Sequence, residues 1–401
     1  MNIPTKPLGQ GEFITLMAML TATVAFSIDA MLPALPEIGA ELTPNALNRA
    51  QLILTSFVLG LGIGTMFAGP LSDAFGRRTI MIGGAAIYCI GAIMAWAAPS
   101  IELMLAARLL QGLGAAGPRV VALATIRDLY SGRDMARIMS FVMVIFALVP
   151  ALAPSMGAVI IAGFGWRSIF LAFLLFSALS VIWLALRQPE TLPLTQRRPL
   201  KLKLMRDAIV ELMGNPTIRL SIAVQTLCYG MLFGVLASTQ QIFDVTYDQG
   251  ADFPLWFGGI AVVAASASLL NARLVGRIGM RGLIKGMLTV QIGFSTLMIV
   301  AVVLPIPDGL EFAAYVIWTT SVFFQAGLTI GNLNALAMEP VGHIAGMAAS
   351  LISAIATVGS VIIAAPVGLA FNGTALPAAF SLLAMAIVAL LLTKQIKRDR
   401  A

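Results

Sequence analysis

Three ionisable side chains interrupt the long apolar runs of this 401-residue chain: Asp29, Arg108 and Arg119. Burying a charge in hydrocarbon is expensive, so each is a candidate for function. Asp29 lies about 16 residues into the first run, roughly 24 Å along a helix. Arg108 lies a few residues into the fourth run, which enters from the opposite side, so the two can face each other at similar depth. A nearby guanidinium favours a charged carboxylate and desolvation favours a neutral one. That balance would let Asp29 take up a proton from one side and release it when Arg108 or a substrate approaches. Two other readings stay open: a static Asp29–Arg108 ion pair, and a solvated Asp29 where Pro33 and Pro36 end the helix. Arg119, three turns beyond Arg108 on nearly the same face, either lines a cavity or snorkels to headgroups. Gln111, one turn from Arg108, is a candidate substrate contact. So are Phe26, Tyr229 and Phe233, because adaptable Met-rich and aromatic surfaces suit varied ligands.

A second constellation sits between the second and third runs. Asp73, followed by Gly76, Arg77 and Arg78, places opposite charges in a tight turn. It is either a simple basic turn or a conformational latch, in which a carboxylate–guanidinium pair holds one state and releases in another. Pro150, Pro154 and Gly157 suggest a bend or hinge in the fifth run. Glycines 60, 62 and 64 and the small residues of 105–117 read as close helix packing. Trp166 and Trp256 read as interfacial anchors. His343 reads as a solvated loop residue rather than a proton relay. Cys89 and Cys228 each lie within a run, which supports neither a disulfide nor a metal site.

Long apolar helices must position these residues. The chain is 59% hydrophobic and 11% charged, whereas a soluble domain carries roughly a quarter charged residues. Spanning takes about 20 apolar residues. Twelve runs fit, near 13–32, 51–72, 79–98, 103–126, 135–162, 167–186, 218–243, 254–276, 283–304, 312–336, 344–370 and 375–393. They are continuous rather than alternating, so helices and not barrel strands are expected. Of 25 Lys and Arg, all but Arg49, Arg167, Arg108 and Arg119 fall at the termini or in alternate gaps. Lys and Arg stay on the cytoplasmic side, so both termini are expected there. This explains the pI of about 9.8 without nucleic acid. The first run lacks a small-residue cleavage site and reads as a membrane helix rather than a signal. The polar stretch 187–217, with Arg197, Arg198, Lys201, Lys203 and Arg206, reads as a cytoplasmic linker, part of it an amphipathic helix on anionic lipid. It separates a six-helix bundle at 1–186 from another at 218–401.

The two bundles echo one another. Gly76 and Arg78 match Gly279 and Arg281 at one offset; Ala153-Pro154 with Gly157 matches Ala365-Pro366 with Gly368; Gln111-Gly112 matches Gln325-Ala326-Gly327. Three matches in order favour duplication of a six-helix unit, as in secondary transporters with a midplane site between halves. P-loop, His-Glu-x-x-His and Cys-x-x-Cys patterns do not occur, so ATP-driven transport by this chain and metalloprotease chemistry lack their parts.

Gly69-x-Leu71-x-Asp73-x-x-Gly76-Arg77-Arg78 resembles the cytoplasmic motif of the major facilitator superfamily (MFS). Arg108-x-x-Gln111-Gly112-x-Gly114 is similar to its proton-coupling motif, and Ala153-Pro154-Ser155-Met156-Gly157 to its antiporter motif, with Ala153 where Gly is usual. Ile28–Pro36, Thr125–Tyr130 and Gly165–Phe170 resemble the drug:proton antiporter branch of bicyclomycin- and chloramphenicol-resistance exporters. The resemblance implies an all-α membrane protein of twelve transmembrane helices in two six-helix bundles, in the bacterial inner membrane. It implies no enzyme, no cofactor beyond protons, small drugs or metabolites as ligands, and a monomer in the bilayer. A dedicated metabolite exporter and a proton symporter are the alternatives within transporters. A channel, a membrane enzyme or a ligand-binding sensor are those outside them.

Overall fold

The computed structural model describes residues 8–396. The basic residues Lys6, Lys397, Arg398 and Arg400 therefore lie outside the described residues. The chain folds as helices joined by short turns. These are α1 (Gln10–Asp29), α2 (Leu35–Leu42), α3 (Leu52–Phe75), α4 (Arg77–Trp96), α5 (Ile101–Leu129), α6 (Gly132–Phe164) and α7 (Ser168–Arg187). There follow α8 (Leu202–Gly214), α9 (Pro216–Gln241), α10 (Phe253–Ile278), α11 (Met280–Val303), α12 (Asp308–Met338), α13 (Ala345–Leu369) and α14 (Leu376–Gln395). No strand occurs among the described residues. In hydrocarbon every backbone polar group needs an internal partner, and a helix supplies it within one segment.

Among the described residues, eleven helical stretches are long and apolar enough to cross a membrane. One of them, Asp308–Leu369, is 62 residues long and contains α12, the 3-10 turn Glu339–Ile344 and α13. Large apolar side chains stand exposed on the outward faces, among them Val159, Phe164, Leu175 and Leu255. Such a surface would be a liability in water and is the expected one against lipid.

The chain forms two compact units, Met1–Pro44 with Ser56–Lys203, and Asn45–Thr55 with Leu204–Ala401. Each has its own interior, and the pairing plan repeats. In the first unit α1 packs on α5, α6 and α7, and α4 on α5 and α7; in the second α9 packs on α12, α13 and α14, and α11 on α12 and α14. The turns that start α4 and α11 match in backbone too: Gly76 and Gly279 both precede the helix at positive φ, +99° and +78°. A side chain would be strained there, which explains why both repeats keep glycine.

The stretch 187–217 is not one free linker. Residues up to Lys203 belong to the first unit, and α8 from Leu204 onward belongs to the second, burying Met205, Ala208 and Leu212. Segment Asn45–Thr55 is tied into the second unit by amides: Asn48 Nδ2 donates to the carbonyls of Leu369 and Phe371 at 3.0 and 2.8 Å, and Gln241 Nε2 donates to Asn48 Oδ1 at 2.8 Å.

Pro150 and Pro154 do not divide the fifth apolar run; α6 continues as one helix of 33 residues through both. Gly157 marks a close crossing instead: a Cβ there would lie 2.0 Å from the carbonyl oxygen of Ala30. Gly157→Ala should lower the thermal midpoint of the detergent-solubilised protein, by an overpacking cost of about 1–3 kcal/mol. Gly163→Ala on the same helix, where a Cβ meets nothing within 4 Å, should leave the midpoint within a degree or two of the parent.

Candidate transport site and latch

The site in the first unit begins with a break in the helix. Pro33 carries no N–H, so the carbonyl of Asp29 cannot receive its i+4 hydrogen bond. α1 accordingly stops at Asp29, a 3-10 turn spans Leu32–Ala34, and α2 resumes with Pro36 near its start. Asp29 is 5% exposed, and its carboxylate makes no hydrogen bond or ion pair among the described residues. Both alternative readings of Asp29 are thereby corrected. It is not solvated beyond a helix end, and it is not locked to Arg108.

Arg108 is fully buried and bound elsewhere. Its Nη1 donates to Gln111 Oε1 at 2.5 Å and its Nη2 to the Ser27 carbonyl at 3.0 Å. Its guanidinium lies 4.4 Å from the Phe57 ring centroid and 6.0 Å from that of Phe170. Planar stacking on aromatic faces suits a guanidinium held in an apolar interior. Ser27 Oγ donates to the Thr23 carbonyl at 2.6 Å and shares a hydrogen bond with the Tyr88 hydroxyl on α4. Ser27 and Asp29 lie about 200° apart around a helix, so the residue that meets α4 and the carboxylate look in different directions. Ser27 and Tyr88 escaped the sequence reading. The available signal was a tyrosine in mid-run, since a buried phenol needs a partner.

Other sequence-selected residues scatter. Gln111 is fully buried on Arg108. Arg119 is half-buried and makes no hydrogen bond or ion pair among the described residues. Phe26 packs on Phe173 and Phe176 of α7, both at 5.3 Å between centroids. Tyr229 and Phe233 stack on each other at 5.7 Å on α9, in the second unit. Trp166 is not an interfacial anchor: it is 5% exposed and donates its indole N–H to Glu41. Trp256 is 40% exposed, as an anchor requires. His343 is exposed and meets Glu211 at 3.0 Å. Both cysteines are free, and no cluster suited to a metal occurs among the described residues.

At the end of the first unit where α3 meets α4, the Asp73 turn is a network. Arg77 Nη1 pairs with Asp73 Oδ1 at 2.5 Å, and Arg77 Nε with Asp128 Oδ2 at 2.9 Å. Glu190, beyond α7, accepts from the backbone N–H groups of Arg77 and Arg78 at 2.9 and 3.1 Å. These are orphan donors of the first turn of α4, and a carboxylate there also meets the positive end of the helix dipole. Arg78 Nη2 donates to the Ala185 carbonyl at 2.5 Å, and Arg198 N to the Asp73 carbonyl at 3.0 Å. Gly76 is required twice, by its φ and because a Cβ would sit 2.5 Å from Glu190 Oε2. Sequence reading found Asp73, Gly76, Arg77 and Arg78 but missed Asp128 and Glu190. Their partners lie 51 and 113 residues away in the chain.

Apolar helices in two alike units, a buried carboxylate and a charged turn between helices define a polytopic membrane transporter. The Major Facilitator Superfamily model matches residues 17–364, and the chain belongs to that family. It is 27% identical over 385 residues to a bicyclomycin resistance protein homolog of Haemophilus influenzae, covering 94% of each chain. It is 26% identical over 377 residues to multidrug resistance protein D of Escherichia coli, covering 88% of this chain and 87% of that one. Its fold matches the crystal structure of a D-xylose-proton symporter with a TM-score of 0.75 at 15% identity, covering 98% of this chain and 99% of that one. The chain is therefore a multi-pass membrane transporter and not an enzyme, with relatives named for antibiotic and multidrug resistance.

Removing Glu190 should uncap α4 and loosen the turn. Glu190→Ala is expected to destabilise the solubilised protein by about 1–3 kcal/mol. Glu190→Gln, which keeps acceptors but not the charge, should lose less than half of that. Thermal unfolding of the two variants side by side measures the difference.

Proposed function

We propose that the chain exports small amphipathic drugs in exchange for protons by alternating access. What carries the reading is Asp29, a buried carboxylate with no partner among the described residues, at the break between α1 and α2 of a transporter with resistance-named relatives. A carboxylate locked in an ion pair holds one charge state, whereas one without a fixed partner is available to bind and release a proton. Arg108 serves as the fixed cation of the same bundle. It ties α5 to α1 through the Ser27 carbonyl. Phe26, Gln111 and Arg119 of the first unit, and separately Tyr229 and Phe233 of the second, are proposed substrate contacts. Asp73, Gly76, Arg77 and Arg78, joined by Asp128 and Glu190, form the latch. Pro150, Pro154 and Gly157 are the proposed bending segment of α6. No cofactor besides protons is required, and the protein is proposed to act as a monomer.

The twelve-span reading follows from length. A single helix of 62 residues would measure about 93 Å, some three bilayer cores, so Asp308–Leu369 is read as two crossings joined at Glu339–Ile344. Even crossings and the basic gaps put both termini in the cytoplasm of a bacterial inner membrane. The latch then lies inside, and Asp29 and Arg108 in the outer half.

Efflux from proteoliposomes under an imposed pH gradient, with a panel of cationic and neutral antibiotics, tests the reading. The parent should transport faster with the outside acidic. Asp29→Asn should retain binding of the same compounds but lose the acceleration by the gradient. Gradient-driven efflux that survives Asp29→Asn would overturn Asp29 as the coupling group. Arg108→Lys is expected to lower transport at least tenfold, because an ammonium cannot reach Gln111, the Ser27 carbonyl and the Phe57 face together.

A further inference from the structure

The outer end of the first unit carries a contact system that this cycle does not use. Glu41, in the last turn of α2, accepts a hydrogen bond from Trp166 Nε1 through Oε2 at 2.7 Å. Through Oε1 it pairs with Arg167 Nη1, also at 2.7 Å. The Arg167 guanidinium lies 4.2 Å over the Trp166 ring, and its Nη2 donates to the Ala98 carbonyl at 3.4 Å. One carboxylate thus clamps the end of α2 to the α6–α7 turn and, through Arg167, to the end of α4.

The clamp continues inward as an aromatic ladder. Trp166 meets Phe170 edge-on at 6.2 Å, Phe170 meets Phe173 at 5.8 Å, and Phe173 meets Phe26 at 5.3 Å. Phe170 also faces the Arg108 guanidinium, and Phe26 is one turn before Asp29 on α1. The segment between Asp29 and Glu41 is held at both ends against α6 and the turn after it. Ala30 is pressed on Gly157 at one end, and Glu41 is bound by Trp166 and Arg167 at the other.

We propose that Glu41 and Trp166 are positioning residues for proton binding at Asp29: the clamp and its ladder hold the α1–α2 break closed against outer water. The inference rests on the role assigned to Asp29. Close-packed side chains transmit a displacement because they have no free volume to absorb it. Charged neighbours do not supply a simpler route. Besides Arg108 and Arg119, the charges on helices packed against α1 are Glu102, Arg127 and Asp128 on α5, Arg133, Asp134 and Arg137 on α6, and Arg187 on α7. Glu12 lies at the far end of α1 itself and Glu37 on α2. None belongs to the ladder.

The test needs no knowledge of the substrate. Dicyclohexylcarbodiimide modifies protonated carboxyls in apolar surroundings, and its attachment to Asp29 in the full-length protein can be followed against pH by mass spectrometry. Water reaching a carboxylate favours its charged form, so labelling of an opened site should persist only to lower pH. Glu41→Gln, Trp166→Phe and Phe170→Leu should each move the midpoint down by at least about half a pH unit, roughly threefold in proton affinity. Glu41→Asp should restore most of it, and the Glu41→Gln/Phe170→Leu pair should shift less than the sum of the two. Variants that unfold normally and keep the parental midpoint would overturn the proposal, leaving the clamp a packing feature. If Glu41→Gln fails to fold, Trp166→Phe, which removes the indole N–H together with part of the ring that meets Arg167 and Phe170, decides in its place. Proton-driven efflux surviving Asp29→Asn would instead remove the coupling role of Asp29, an outcome that the labelling midpoints do not depend on.

Discussion

The first unit depends on satisfying one guanidinium where no water competes. A buried charge is tolerated only with hydrogen bonds and close partners around it. Arg108 obtains them from its own helix and three others. Ser27 of α1 gives a carbonyl, Gln111 of its own helix a carboxamide oxygen, and Phe57 of α3 and Phe170 of α7 give ring faces. Moving any of these helices would strand the charge, so the register of the bundle is set by this contact. Asp29 is left outside that arrangement.

The charged turn at the other end solves a different problem with the same residue types. There Arg77 has carboxylate partners on α3 and α5, and the first turn of α4 has Glu190. These groups are partly exposed, so each pair contributes modestly by itself. What makes the turn specific is the convergence of Asp73, Asp128 and Glu190 from three segments on two consecutive arginines. A junction of several weak contacts can be undone stepwise, which suits a latch. A junction made around a single buried charge cannot, which suits an invariant scaffold.

How much of this was legible in the chain follows from the range of each signal. The apolar runs, the Asp73 turn and the isolated charges are local, and they appear in the structure where the sequence put them. The repeat was visible in a few paired motifs and returns as one pairing plan in both units. Residues joined through space were not legible. Glu190 looked like part of a linker, Asp128 like part of a motif, and Trp166 like a headgroup anchor. In each case the partner lies 51 or more residues away. Gly157 carries a second role of this kind: beside two prolines it suggested flexibility, and its lack of a side chain also admits the backbone of Ala30.

The break beside Asp29 brings these constraints together. A proline four residues after a carboxylate removes the helix donor for that residue's own carbonyl, so polarity concentrates at one level of α1. An unbroken apolar helix would offer a titrating group no such place. A break, however, also loosens the helix and invites water, and a carboxylate in contact with water keeps its ordinary charge. The two requirements are compatible only if the segment beyond the break is fastened independently. In this chain α2 is fastened by Glu41 to Trp166 and Arg167, and the break itself is pressed on Gly157. On the proposed role of Asp29, the tight crossing at Gly157 and the outer clamp are the counterpart of Pro33: one interrupts the helix where a proton would bind, and the others would keep the interruption dry.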